Sequence, residues 1–324
     1  MFEVVIDNRN GTLWNVSELI PEASWKTKWI GAAGVFTCSL VRMPTFQKDS
    51  FEINTGDVIR VKVDGVKLFY GFVFTIEETE AREIKLTAYD QLRYMMEADT
   101  YVRAKITATQ VIRENAAAAG LVIGYLEDTK HLIPKFSQDG QKRLDMVYKA
   151  LDDTLLKLGD IFVLYDDFHS LTLRHVRDMR VNLILGDNSL VYGYSLSHDI
   201  DTDTYNRIKL VKDNKKTGKR DAYIYQDSST IAKWGRLSYY QKVDDGLNDA
   251  QIEAMMKRFM ALKNREQRKF KIDALGYVGV RAGTILQVTI KEQGIDQYYL
   301  VEECQHSWKG GEHTMSLNLR VYQP

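Results

Sequence analysis

The chain has 324 residues, 44% hydrophobic and 27% charged, and its 44 Lys and Arg are matched by 44 Asp and Glu. That length allows two or three domains with substantial cores, and the even charge leaves no net field that favours nucleic acid or an anionic membrane. The two cysteines, Cys38 and Cys304, are too few and too far apart for a disulfide framework or a zinc cluster, a pattern that reads as intracellular. No basic n-region precedes an apolar run at the N-terminus, and no stretch approaches the roughly 18 apolar residues of a membrane span.

In chain order, residues 2–6, 24–30 and 35–43 read as short strands. Within the second, Trp25 and Trp29 alternate with Lys26 and Lys28, which places the tryptophans on one face and the lysines on the other. The spacing fits a half-buried strand, with an exposed tryptophan pair for sugar stacking as the alternative. Residues 58–63, 68–78 and 83–89 read as a three-stranded meander with a turn at Asp64-Gly65. Two helices follow. The first runs over 107–119, with capping-box spacing from Thr107 to Gln110 and Gly120 at its end; the second covers 144–158 and stops at Gly159. Strands over 161–165 and 170–176 complete a mixed α/β stretch. Beyond it lie strands at 190–197, 205–212 and 222–226, with the most basic run of the chain, 213–220, at a hairpin tip that reads as solvated or as a partner contact. A short helix near 228–234 precedes a long one over 249–263, capped by Asn248, whose stripe of Ile252, Met255, Met256 and Phe259 reads as core.

The end of the chain echoes the meander. Gly56-Asp57-Val58-Ile59-Arg60-Val61 resembles Gly283-Thr284-Ile285-Leu286-Gln287-Val288. Residues 74–78 resemble 299–303, residues 84–89 resemble 317–322, and residues 34–42 resemble 268–275. Strands draw on few residue types, so either an internal duplication or chance likeness accounts for the match.

No reactive constellation accompanies this framework. GxSxG, P-loop, HExxH and dinucleotide-binding glycine patterns are all missing. The carboxylate pairs are Glu77-Glu78, Asp152-Asp153, Asp166-Asp167 and Glu302-Glu303. Neighbours on a strand point to opposite faces, so neither glutamate pair makes a two-carboxylate glycosidase site, and solvated positions are expected for all of them. The nearest approach to a metal site is Cys304, His306 and His313. A Gly310-Gly311 turn would set Cys304 and His306 opposite Leu317 and Met315 and leave His313, opposite Trp308, on the other face, so no metal, cofactor or catalytic residue is expected.

The strand containing Phe69-Tyr70-Gly71-Phe72-Val73, the phrase Thr87-Ala88-Tyr89-Asp90-Gln91-Leu92-Arg93-Tyr94, the helix from Thr107 to Leu121 and the glycine-rich run 276–283 occur in an order that resembles the baseplate hub proteins of contractile phage tails. The likeness is to the tail-tube-initiating type found in Gram-positive phages, defective prophages and phage-tail-like bacteriocins. It covers nearly the whole chain, and its structural positions here are Gly56, Gly71, Tyr89, Asp90, Leu92 and Gly283. The chain departs from the pattern at Thr284, where an aspartate is common.

The resemblance implies an α+β, β-dominated fold: two related β-barrel-like tube domains, residues 1–96 and 186–324, flanking a mixed α/β domain of residues 97–185. It implies a non-enzymatic homotrimer whose pseudo-sixfold ring adapts a sixfold tail tube to a threefold central spike and leaves a central channel. Implied partners are the tail tube protein, the central spike protein, other baseplate proteins and a tape-measure protein, with no sequence-specific nucleic acid and no membrane anchor. The protein would be made in the bacterial cytoplasm and assembled into the tail baseplate. The readings set against it are a tail-associated cell-wall hydrolase and a carbohydrate-binding module using Trp25, Trp29 and Trp308. One expectation goes beyond the resemblance. Glu77-Glu78 and Glu302-Glu303 fall at matching places in the two copies, so one member of each pair would face the channel and keep its wall acidic, repelling DNA phosphates.

Overall fold

A computed structural model describes residues 1–41, 51–80, 83–187, 189–214, 218–243 and 245–322. The chain divides into two compact units, Met1–Tyr194 with Lys271–Pro324, and Ser195–Phe270. The fold is α+β and β-dominated, as expected. The expected second domain, 186–324, thus contains a strand-rich end and a separate unit of its own.

The first unit opens with β1 (Phe2–Asp7), β2 (Leu13–Asn15), β3 (Glu22–Lys28), β4 (Val35–Val41), β5 (Val58–Val63), β6 (Val66–Glu78) and β7 (Glu83–Tyr89). Asp64 and Gly65 both have positive φ, 49° and 80°, which is the left-handed pair that a two-residue hairpin needs between Val63 and Val66. The mixed stretch contributes β8 (Ala98–Ile106), α1 (Ala108–Ala118), β9 (Ile123–Leu126), β10 (Ile133–Lys142), α2 (Arg143–Leu158), β11 (Phe162–Asp166) and β12 (Leu171–His175). Thr107 and Gln110 form the capping box, and Gly159 closes α2 at φ 81°. The buried faces of α1 and α2, including Val111, Ile112, Leu144 and Val147, share one core with Phe136, Leu164 and Leu171. Leu92 and Met95, just past β7, also enter that core, which joins the mixed stretch to the opening meander.

Then come β13 (Arg180–Gly186), β14 (Val191–Asp199), β15 (Arg207–Asn214), β16 (Lys219–Gln226), α3 (Ser228–Trp234), β17 (Ser238–Lys242), α4 (Asp249–Lys263), β18 (Gln267–Leu275), β19 (Ile285–Ile290), β20 (Ile295–Lys309) and β21 (Glu312–Val321). In the second unit β15 lies between β16 and β17, and α4 buries Ile252, Met256 and Met260 with Ile208 and Leu210. Met255 and Phe259 pack at the edge of that core, so the methionine stripe is core as read. The tip residues Lys215, Lys216 and Thr217 lie outside the described residues, as does Arg42; beside the tip, Arg220 pairs with Asp213.

One thirteen-stranded sheet runs β14-β18-β21-β20-β3-β4-β7-β6-β5-β1-β2, with β13 and β19 attached beside β20. Its order contains the echo read from the sequence: β5-β6-β7-β4 in the first part matches β19-β20-β21-β18 in the last. The match extends to individual hydrogen bonds. Gly56 N–H donates to Val73 O at 2.7 Å and Gly283 N–H to Val301 O at 2.8 Å, both glycines having φ near 90°. Val73 N–H returns to Asp57 O, and Val301 N–H to Thr284 O. Each copy also carries a β-bulge, Phe74 between the pairs Val73↔Ala88 and Thr75↔Thr87, and Glu302 between Val301↔Leu319 and Glu303↔Asn318. A bulge is an unpaired extra residue, and chance likeness does not place one at the same step of two strands.

These bulges correct the sequence register. Phe74 matches Glu302 and Thr75 matches Glu303, so the Glu77-Glu78 pair corresponds to Gln305-His306. The two glutamate pairs are not at matching places; the likeness of Glu-Glu to Glu-Glu pulled the comparison out of step by three residues. Residues 84–89 likewise match 315–320 instead of 317–322.

Candidate functional surface and its buried polar node

The glycines singled out in the sequence are required by close approach. A Cβ on Gly71 would lie 2.5 Å from the Tyr89 carbonyl and 2.4 Å from the Phe69 ring, and one on Gly283 would lie 2.7 Å from Val163 of β11. Gly56 meets nothing within 4 Å; its φ of 89° is what excludes other residues. Tyr89 packs edge-on against Phe74 at 5.3 Å.

Asp90 directly follows β7. Its Oδ1 accepts from Leu92 N–H at 3.0 Å, capping the 3₁₀ turn Gln91–Met96, and its Oδ2 accepts from Gly34 N–H at 2.7 Å. Gly34 admits this bond because a Cβ there would lie 2.6 Å from that oxygen. Asp166, at the end of β11, accepts from Gln91 Nε2 at 2.5 Å and from His169 N–H at 2.7 Å. Arg281, just before Gly283, donates to the Asp166 carbonyl at 3.2 Å and lies 4.0 Å over the Tyr165 ring. Burial, and then the Asp166 carboxylate, push the Asp90 carboxyl up to about 8, against the Gly34 and Leu92 donors and Arg281; burial raises Asp166 as well. Two buried carboxylates face one guanidinium, and Asp90 keeps its proton at neutral pH. The node ties the end of β7, the end of β11 and the approach to β19 together. Asp166 is therefore not a solvated carboxylate, contrary to the expectation for that pair. The sequence signal was present, since Asp90 and Arg281 both lie in the phrases that carry the family resemblance, but nothing in spacing linked them.

Trp25 and Trp29 are 4% and 6% exposed and belong to the core, which removes the exposed pair that sugar stacking would need. Trp308 stacks between Phe2 at 5.1 Å and His313 at 4.6 Å. The Gly310-Gly311 turn forms with both φ positive, and Cys304 and His306 stand opposite Leu317 and Met315 as read. His313, however, shares their face: directly opposed antiparallel residues point the same way, and Trp308 has the same strand parity as Cys304 and His306. His306 Nε2 lies 2.8 Å from Val280 O and its Nδ1 lies 2.9 Å from His313 Nε2. Nε2–H therefore donates to the carbonyl and Nδ1 accepts from His313. Burial, and then neighbouring His313, lower His306 to about 4, so this chain of neutral imidazoles is structural at physiological pH. Among the described residues no group of three or more His, Cys, Asp or Glu is arranged to hold a metal ion.

The face of the sheet opposite this core is polar. Thr314, Ser307, Ser24, Thr37, Thr87 and Thr75 form a row of hydroxyls across six adjacent strands, β21 to β6, each opposite the next. One step along, Glu312, Lys309, Glu22, Ser39, Lys85 and Glu77 form a second row in which each acid stands beside a lysine. An open groove of about 410 Å3 lies over these rows. Glu303 is on the same face, and against the cost of burial Lys26 and Lys28 hold its carboxyl below the ordinary range. Glu302 is in the bulge, half-buried and raised by that burial with Arg320 opposing. Glu77 and Glu78 are exposed, on opposite faces of β6. One member of each glutamate pair, Glu77 and Glu303, thus stands on the polar face.

A family profile described as YQBQ-like matches residues 23–320. The chain is 32% identical over 273 residues to the phage-like element PBSX protein XkdQ of Bacillus subtilis, covering 83% of this chain and 82% of that one. Among solved structures, the 43 kDa tail protein of prophage MuSo2 from Shewanella oneidensis superposes with a TM-score of 0.72 at 12% identity, covering 98% of both chains. A chain in the activated p2 virion baseplate superposes with a TM-score of 0.51 at 9% identity over the full length of both.

Proposed function

The chain belongs to the YQBQ-like family, and from that premise we propose that it is the structural hub of a contractile tail baseplate or tail-like particle. Three copies form a ring of six related sheet segments, matching a sixfold tail tube on one side and a threefold central spike on the other, around a central channel. The observation that carries this reading is the hydrogen-bonded pattern shared by the two copies, down to Gly56 and Gly283 and the bulges at Phe74 and Glu302, together with their union in one sheet through β3 and β20. A duplicated unit is what lets a threefold assembly offer six nearly equal edges. The tube protein, the spike, other baseplate proteins and a tape-measure protein are the partners, in the assembled tail baseplate. The role is one of scaffolding, not catalysis.

In this reading the polar face lines the channel. A nucleic acid passing it meets short hydroxyls and glutamates set beside lysines, a wall without the run of unopposed cations that grips phosphates. Of the two glutamate pairs, Glu77 and Glu303 are the members on this face, with the charge of Glu303 offset by Lys26 and Lys28. Light scattering after size exclusion, combined with negative-stain images of the purified chain, tests the reading. Three-chain rings with a central hole are the expected result; a compact monomer at every concentration is the result that overturns it.

A further inference from the structure

The 3₁₀ turn that Asp90 caps presents Arg93 and Met96 to an open cavity of about 400 Å3. Ala32, Ala33 and Val35 line it from the approach to β4, and Lys142 lines it from the residue before α2. Two contacts fix Lys142 beside the end of the turn: Arg143 N–H donates to Glu97 O at 2.9 Å, and Lys142 pairs with Ala98 in the β8–β10 ladder. Arg93 lies 5.4 Å over the Phe74 ring and 5.8 Å over the Tyr89 ring. The rings favour its charge and restrict its side chain, but they offer its N–H donors no lone pair.

No carboxylate lines this cavity. Glu97 and Asp99, which follow the turn, both pair with Arg143. Asp90, which precedes it, gives its two oxygens to the Leu92 and Gly34 amides. Among the described residues, Arg93 and Lys142 thus meet in one cavity without an ion-pair partner. Water satisfies two such cations while the cavity is open, so an entering group must replace that hydration or be rejected. A carboxylate replaces it with charge-assisted hydrogen bonds, and a guanidinium already held between rings loses little freedom in making them. The size and the walls narrow the ligand further. The volume falls among ligand pockets, roughly 300 to 1,000 Å3, and far exceeds what a bare inorganic anion fills. Ala32, Ala33, Val35 and Met96 give such an anion nothing to bind, but they suit an apolar body beside the charge.

We propose that this cavity seats a short acidic segment of a partner protein. The carboxylate of an Asp or Glu meets Arg93 and Lys142, and an apolar neighbour of that residue covers Ala32, Ala33 and Met96. The assignment holds whether or not the chain builds a ring.

Methyl NMR of the full chain with isotope-labelled methionine tests this, with Met96→Leu identifying the Met96 signal. The probes are short capped peptides with a central Glu, Asp or Gln flanked by Leu, Met, Phe or Tyr, and inorganic phosphate. The expected result is a saturable shift of the Met96 methyl with at least one acidic peptide, roughly tenfold weaker for its Gln counterpart, as the loss of one charge-assisted bond requires. Lys142→Gln, an exposed change that leaves the core intact, should weaken the acidic peptide by a similar factor and leave the Gln peptide unaffected. Equal binding of the Gln and Glu peptides overturns the proposal, as does a failure of every acidic peptide to move the signal. Phosphate that competes as well as the peptides overturns it too, by making this a site for inorganic anions. Self-association of the chain that disappears in Lys142→Gln names a second copy as the occupant and overturns the partner assignment. None of these outcomes depends on how many chains a ring contains, so the hub reading stands or falls separately on its images.

Discussion

Asp90 is where single residues matter most to this chain, because one carboxyl holds the 3₁₀ turn after β7, the Gly34 amide and a proton. Its folded pKa, about 8, lies above the ordinary aspartate value of 3.8, so between those values the folded state binds a proton that the unfolded state releases. The stability it supports is fully present below about pH 4 and is lost as pH rises through about 8. His306 acts with the opposite sign. Its folded value of about 4 lies below the usual 6.5, so its contribution is present above pH 6.5 and is lost as pH falls through 4. The two trends oppose each other from pH 4 to 6.5, and above that Asp90 is left to act with Asp166, which burial also raises. Urea midpoints should therefore fall between pH 6.5 and 8, at up to about 1.4 kcal/mol per pH unit for each proton released. Asp90→Asn should be less stable at pH 6.5, since its amide nitrogen would face the Gly34 or Leu92 donor, at a cost of roughly 1 to 3 kcal/mol. Its pH profile above 6.5 should be flatter; an Asn variant with the wild-type slope would remove Asp90 as the source.

At the scale of elements, the two copies solve one turn with different side chains. Asp57 accepts from Asn54 N–H at 2.7 Å and from Asn8 Nδ2 at 2.6 Å, while Thr284 Oγ1 accepts from Arg281 N–H at 3.1 Å. Asn54 and Arg281 stand at the same step, so the family departure at Thr284 keeps the turn-closing bond and drops the second one. Asp57→Thr should retain the Asn54 bond and cost about half as much as Asp57→Ala, which should lose roughly 1 to 2 kcal/mol with its two part-buried hydrogen bonds. Equal losses in thermal or urea unfolding would mean that the turn bond contributes nothing. The legible parts of the fold were those with local causes. The caps at Thr107 and Asn248, the stop at Gly159 and the paired glycines each impose a backbone requirement that a single sequence displays. The bulges at Phe74 and Glu302 carry no such mark, and so the register between copies drifted. The β3–β20 pairing joins opposite ends of the chain, and the meeting of Asp90, Asp166 and Arg281 joins three segments; neither follows from spacing. The placement of His313 was a different matter, since strand parity in the sequence already put it on the face of Cys304 and His306.

On the scale of the whole molecule, the duplicated sheet and the unit of residues 195–270 answer to different demands. The copies must resemble each other if they are to present similar edges, and their matched glycines and bulges reflect that constraint. Residues 195–270 fall in the chain between β14 and β18 of the second copy and have no counterpart between β3 and β4 of the first, so the two copies differ in what they carry. A body that must be carried without disturbing the strands at its base needs stability of its own. It has a core of Ile208, Leu210, Val243, Ile252, Met256 and Met260, an α4 with a complete capping box from Asn248 to Gln251, and a β15 paired on both sides. Expressed alone, residues 195–270 should therefore fold, with a cooperative thermal transition and with β15 amides among the slowest to exchange, because both edges of that strand are hydrogen-bonded within the unit. A fragment that lacks a transition, or whose β15 amides exchange at unprotected rates, would mean that the strands at its base hold the unit together, and that the asymmetry of the second copy is built into the sheet itself.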